Sequence, residues 1–133
     1  MLLIANTLHT HFQDDPREII KEAHSDAGQL IHLLQVTRKK DFPYLSGPKL
    51  SNYWPFILSL FTDVQFTNTH MISIIPDTHV LQASIHLGLV PENANSLQVE
   101  KAWKELLEGS GISPVIMHPV LWNWSRNKFQ PSV

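Results

Sequence analysis

The sequence contains no cysteine, which excludes disulfides, thiolate metal sites and cysteine-held iron–sulfur clusters. Long apolar runs are missing too. The longest, Tyr53 to Phe61, holds nine residues and includes a proline and a serine, whereas a bilayer span needs roughly 20. A membrane is therefore not an expected partner. The opening Met1-Leu2-Leu3-Ile4-Ala5 has no basic n-region and is too short for a signal peptide, so an intracellular home is expected. Charge of one sign is also absent in bulk: the net charge is −2 and the pI about 6.4, which does not mark out a nucleic-acid binder. Strand-period alternation and internal repeats are likewise missing.

What is present suits one globular domain, residues 1–133, with 43% hydrophobic and 17% charged residues. Charge is uneven along it. Residues 1–30 carry two bases against five acids, while residues 38–49 carry Arg38, Lys39, Lys40 and Lys49 against Asp41 alone. Asp15-Pro16-Arg17-Glu18 has the pattern of a capped helix start with a capping box. Ile19, Ile20, Ala23, Ala27, Leu30, Ile31 and Leu34 then follow helical spacing, which predicts two short helices over about 16–24 and 26–37, the second capped by Ser25-Asp26. Pro48 opens another helix, which Pro55 is expected to bend or shorten. Residues 62–75 read as an irregular connection. Asp77 caps a helix over about 78–87 with Gly88 as its stop, Asn95 or Ser96 caps the next, and Pro119 opens a last short one. The expected class is all-α, with short helices.

Three places carry chemistry. Phe42 to Leu50, within a helix–hairpin–helix candidate over about 42–60, would leave backbone N–H groups free at a helix N-terminus, where they can hold a phosphate oxygen. The same spacing also describes an ordinary helical corner. Lys49 sits in the first helical turn, where the positive end of the dipole disfavours a cation; with partial burial this would favour a neutral, nucleophilic amine. A solvated surface lysine is the alternative. Ile74-Ile75-Pro76-Asp77 sets a carboxylate at a helix start behind an apolar run, suited either to stabilising a cationic transition state or to plain N-capping.

Pro76-Asp77-Thr78-His79-Val80, followed by His86-Leu87-Gly88-Leu89, resembles the aspartate-bearing motif (here about 74–89) of the helix–hairpin–helix DNA glycosylase superfamily. Endonuclease III and the 8-oxoguanine glycosylases belong to that superfamily. Leu45-Ser46-Gly47-Pro48-Lys49 lies upstream, where the family has its hairpin and, in bifunctional members, the catalytic lysine. Leu121-Trp122-Asn123-Trp124 resembles the closing helix of some members. The resemblance covers about residues 14–126. It departs from the family in its single hairpin glycine, Gly47, and in the 28-residue separation of Lys49 and Asp77, which makes 62–75 an insertion. The chain resembles a short or N-terminally truncated member.

The resemblance implies a bifunctional DNA glycosylase and abasic-site lyase without cofactor. Lys49 corresponds to the lysine that attacks the sugar C1′ and forms a Schiff base, and Asp77 to the aspartate that assists base departure. Leu45, Ser46, Gly47 and Pro48 would hold the DNA backbone. Trp122, Trp124 or Phe129 could face the flipped base or serve as helix packing. The implied partner is double-stranded DNA with a damaged base or abasic site, which adds a nucleoid association to the intracellular expectation. The apolar N-terminus also suits a homo-oligomer, which light scattering over a broad concentration range tests. The alternative is a catalytically inactive helical relative acting as a DNA-binding or protein-interaction module. Eight histidines raise a metal question, but His9-Thr10-His11 is the only close pair, and no HExxH or carboxylate–histidine cluster of suitable spacing accompanies it. No metal is expected.

Overall fold

The computed structural model describes residues 2–133. Those residues form seven α-helices, two 3₁₀ turns and one π-helical turn, with no strand, so the class is all-α. Among them, no helix is long and apolar enough to cross a membrane. The chain divides into two compact units, one ending at Ile72 and the other beginning at Ser73. Each has its own apolar core, where the sequence predicts a single domain.

In the first unit, α1 (Leu2–Phe12) is an element the sequence reading does not anticipate. Ile4, Leu8 and Phe12 recur every four residues, and this stripe joins the core. Positive φ at Gln13 and Asp14 ends the helix. Helix α2 (Arg17–Glu22) starts differently from the expected box: Asp15 accepts from the Arg17 backbone N–H at 2.9 Å, while Glu18 pairs with Lys21 instead of turning back to Asp15. His24 and Ser25, both at positive φ, make the predicted break. Asp26 then caps α3 (Ala27–His32) by accepting from Gln29 N–H at 2.9 Å. A π turn, Leu33–Thr37, continues α3.

Phe12, Ile19, Leu30, Leu34 and Phe42 fill this core, each worth roughly 1.5–3 kcal/mol of transfer free energy on burial. Arg38 closes one side, stacked over the Phe12 ring at 5.0 Å and paired with Glu22 at 2.9 Å. Helix α4 (Pro48–Phe61) runs without interruption through Pro55. The expected shortening does not occur. The Pro55 ring is fully buried, and that packing offsets the lost helical hydrogen bond. The connection after α4 is irregular, as expected, apart from a 3₁₀ turn at Thr69–Met71. It is tied back to α3 where Thr67 exchanges backbone hydrogen bonds with Ala27 and Ser25.

In the second unit, α5 (Thr78–His86) packs against α6 (Ser96–Leu107) and α7 (Met117–Arg126). Ile74, Val80, Ala83, Val99, Trp103 and Leu121 form the core. Asn95 and Gln98 form a complete capping box on α6. Gly88, at φ +71°, stops the chain after α5 as the sequence predicts. Helix α7 begins at Met117, directly after a 3₁₀ turn (Pro114–Ile116), with Pro119 inside its first turn.

Candidate functional site

Lys49 lies in the first turn of α4, as the spacing predicts. It is exposed, so the partial burial expected to favour a neutral amine is absent. None of the ion pairs among the described residues involves it. The helix end is uncapped by any side chain: Gly47 is the N-cap residue and Pro48 the first helical one. The first N–H groups of a helix have no intrahelical acceptor, so this end keeps donors for an outside anion.

The hairpin segment before it is a series of turns. Ser46 Oγ donates to Pro43 O at 3.0 Å, and Leu45 N–H to Phe42 O at 3.0 Å. Gly47 has φ −71° and ψ 151°, an extended conformation open to any residue. A Cβ added there would meet nothing within 4 Å. The fold thus makes no demand for glycine at this position.

Two buried polar residues fix the start of α4 from inside. Ser51 Oγ donates to Gly47 O at 2.9 Å and accepts from Gln35 Nε2 at 2.7 Å; Asn52 Nδ2 donates to Pro48 O at 2.8 Å. Gln35 comes from the π turn. Leu33 and Thr37 of that same turn line a cleft of about 460 Å³ together with Glu22 and Met71 and with Gln29 and His32 of α3. Sequence periodicity misses the π turn, because its hydrogen bonds reach one residue further along the chain than those of an α-helix.

Asp77, in the second unit, is the N-cap of α5, with Oδ1 accepting from Val80 N–H at 3.0 Å. The side chain is half-buried, behind the buried Ile74 and Ile75. That bond commits only one of its two oxygens.

The aromatic candidates are engaged with neighbours in the second unit. The Trp122 ring has the His79 ring at 5.0 Å and the Arg126 guanidinium at 5.0 Å. His86 stacks on Phe129 at 4.1 Å and meets the Trp124 edge at 5.2 Å. The Trp124 indole N–H donates to Pro131 O at 2.8 Å. All three aromatics are half-buried, and these contacts are those of residues packing α7 against α5. His79 and His86 share the α7-facing side of α5, as a spacing of two helical turns predicts. His79 Nδ1 also lies 3.2 Å from Ser125 Oγ, which donates to Gln82 Oε1 at 3.2 Å.

Among the described residues, no three His, Asp or Glu side chains converge as a metal site. His9 instead pairs with Asp14 at 3.0 Å. Asp15 is held down to about 2 by its hydrogen bonds from Arg17, and Asp26 is held below its ordinary value, first by the Gln29 N–H and then by the Asn68 amide. Neither carboxylate belongs to the candidate site. No family model, curated protein or solved structure matches the chain.

Proposed function

We propose that the chain is a lesion-directed DNA glycosylase with abasic-site lyase activity. In this reading the Lys49 amine attacks C1′ of the damaged nucleotide as the bond from C1′ to the base breaks. The Asp77 carboxylate stabilises the positive charge that develops on the sugar. Loss of a proton from the amine and opening of the sugar ring, in which the C1′–O4′ bond breaks and O4′ takes up a proton, then give a Schiff base. That imine acidifies the C2′ proton, whose removal expels the 3′ phosphate and cuts the strand. Leu45 to Pro48 approach the DNA backbone, and the target base leaves the stack at a cost of a few kcal/mol, least for damaged or mispaired bases.

The observation that carries the reading is the end of α4. An exposed amine and an uncapped helix N-terminus occur together there, so a nucleophile and a set of phosphate donors share one helical turn. Asp77 supports it less directly, as a half-buried carboxylate with one oxygen left over from capping.

Borohydride trapping tests the reading. Labelled duplexes carrying an abasic site, 8-oxoguanine or an oxidised pyrimidine are incubated with wild type, Lys49→Gln and Asp77→Asn. A trapped adduct with wild type that vanishes with Lys49→Gln is the expected result. Absence of an adduct on every duplex overturns it.

The non-catalytic alternative draws on a specific observation, the exposure of Lys49 where partial burial would favour a neutral amine. A relative of this kind would bind DNA through the α4 end without chemistry. It predicts a low-salt gel shift that Lys49→Gln weakens, with no adduct.

A further inference from the structure

We infer that Gln35 is a positioning residue for Lys49, acting through Ser51. The inference rests on the lyase reading for the use of the amine, and on geometry alone for the coupling.

The π turn Leu33–Thr37, closed by the Arg38 N–H to Leu33 O bond at 2.7 Å, holds Gln35 half-buried. From there its Nε2 donates to Ser51 Oγ at 2.7 Å, across 16 residues of sequence. Ser51 is fully buried, and its hydroxyl has a single proton to give. Two backbone acceptors lie within its reach: Gly47 O at 2.9 Å and Pro48 O at 3.4 Å. The Gln35 N–H fixes the oxygen from its acceptor side, and the hydroxyl proton goes to the nearer carbonyl, Gly47 O. Pro48 O is then held by Asn52 at 2.8 Å, and this is the carbonyl of the peptide bond that leads into Lys49.

Both carbonyls preceding Lys49 are therefore held by buried side chains, and one of those side chains is oriented by Gln35. Removal of the Gln35 amide leaves a buried hydroxyl with an empty acceptor side, free to turn between two carbonyls. The first turn of α4 then samples more than one arrangement. An amine that must reach C1′ in line is sensitive to such slack, since a misplacement of about 1 Å can cost on the order of 100-fold in rate.

The experiment compares wild type, Gln35→Leu, Ser51→Ala and the double variant. Single-turnover borohydride trapping on an abasic duplex gives the maximal rate and the half-saturating duplex concentration. Hydrogen exchange reads the Ser51 amide, which donates to Gly47 O at 3.0 Å, against amides in the last turn of α4. Gln35→Leu is expected to lower the maximal rate roughly tenfold, with half-saturation unchanged, and to speed Ser51 exchange selectively. The double variant is expected to add little to either single one, because both remove the same bond. Equal rates for wild type and Gln35→Leu overturn the assignment, as does exchange that rises uniformly along α4, the mark of general loosening. A wild type that traps nothing overturns the lyase reading instead, and the clamp on the first turn is then decided by the exchange data alone.

Discussion

The Trp103 indole N–H donates to Ser84 Oγ at 2.8 Å, and the Ser84 hydroxyl in turn donates to Val80 O at 2.7 Å. Ser84 is fully buried and Trp103 is 4% exposed. One hydroxyl thus lets a large aromatic enter the core of the second unit without stranding its donor.

Ser84→Ala is expected to destabilise the second unit by about 1–3 kcal/mol, the cost of an unsatisfied buried donor. Trp103→Phe made in the Ser84→Ala background removes that donor, and should cost less than Trp103→Phe in wild type. Urea unfolding of the four variants in this cycle checks it. Additive losses would show that the bond carries no coupling.

Capping and chemistry separate at Asp77. Asp77→Ala removes the acceptor for Val80 N–H and is expected to cost about 1 kcal/mol of stability. Asp77→Asn keeps a capping oxygen, so its melting temperature should stay near that of wild type while trapping on lesion-bearing duplexes is lost. Wild-type trapping by Asp77→Asn would leave Asp77 as a cap alone.

Two glycines should respond in opposite ways. Gly88 has φ +71°, and an alanine there is expected to cost about 1–2 kcal/mol through left-handed strain. Gly47 is extended with open space around it, so Gly47→Ala should leave thermal stability within roughly 0.5 kcal/mol of wild type. A DNA backbone passing close to this turn would be obstructed by the new methyl. A gel shift with abasic duplex should therefore show weaker binding by a protein of unchanged melting temperature.

Asp26 predicts acid sensitivity in the first unit. Its folded value is depressed, chiefly by the Gln29 N–H and next by Asn68. A depressed carboxylate contributes stability that is present above the unfolded value, near 3.8, and is lost as pH falls through the folded one. Asp26→Asn keeps a capping oxygen but cannot titrate. Circular dichroism between pH 5 and pH 2 should show a shallower acid loss for this variant than for wild type.

Much of the helical framework was legible because its signals are local. Asp26, Asp77 and Asn95 cap where expected, since an N-cap needs only its own side chain and an N–H two or three residues on. Gly88 stops the chain by its own conformational freedom. At Asp15 the same local rule misled, because the Arg17 guanidinium claimed the carboxylate and Glu18 found Lys21. Helix α1 carried its stripe in the sequence, but no capping residue announced its start.

The sequence by itself determined the all-α class and the helix caps at Asp26, Asp77 and Asn95, because each depends on residue type and short spacing. Only the tertiary structure decided that Pro55 stays within a continuous helix, that Lys49 is exposed, and that Trp122, Trp124 and Phe129 pack against the histidines of α5. It also decided that Gln35 reaches Ser51. Burial and long-range hydrogen bonds depend on which surfaces meet, and residues 16 or 46 positions apart meet only once the chain has packed.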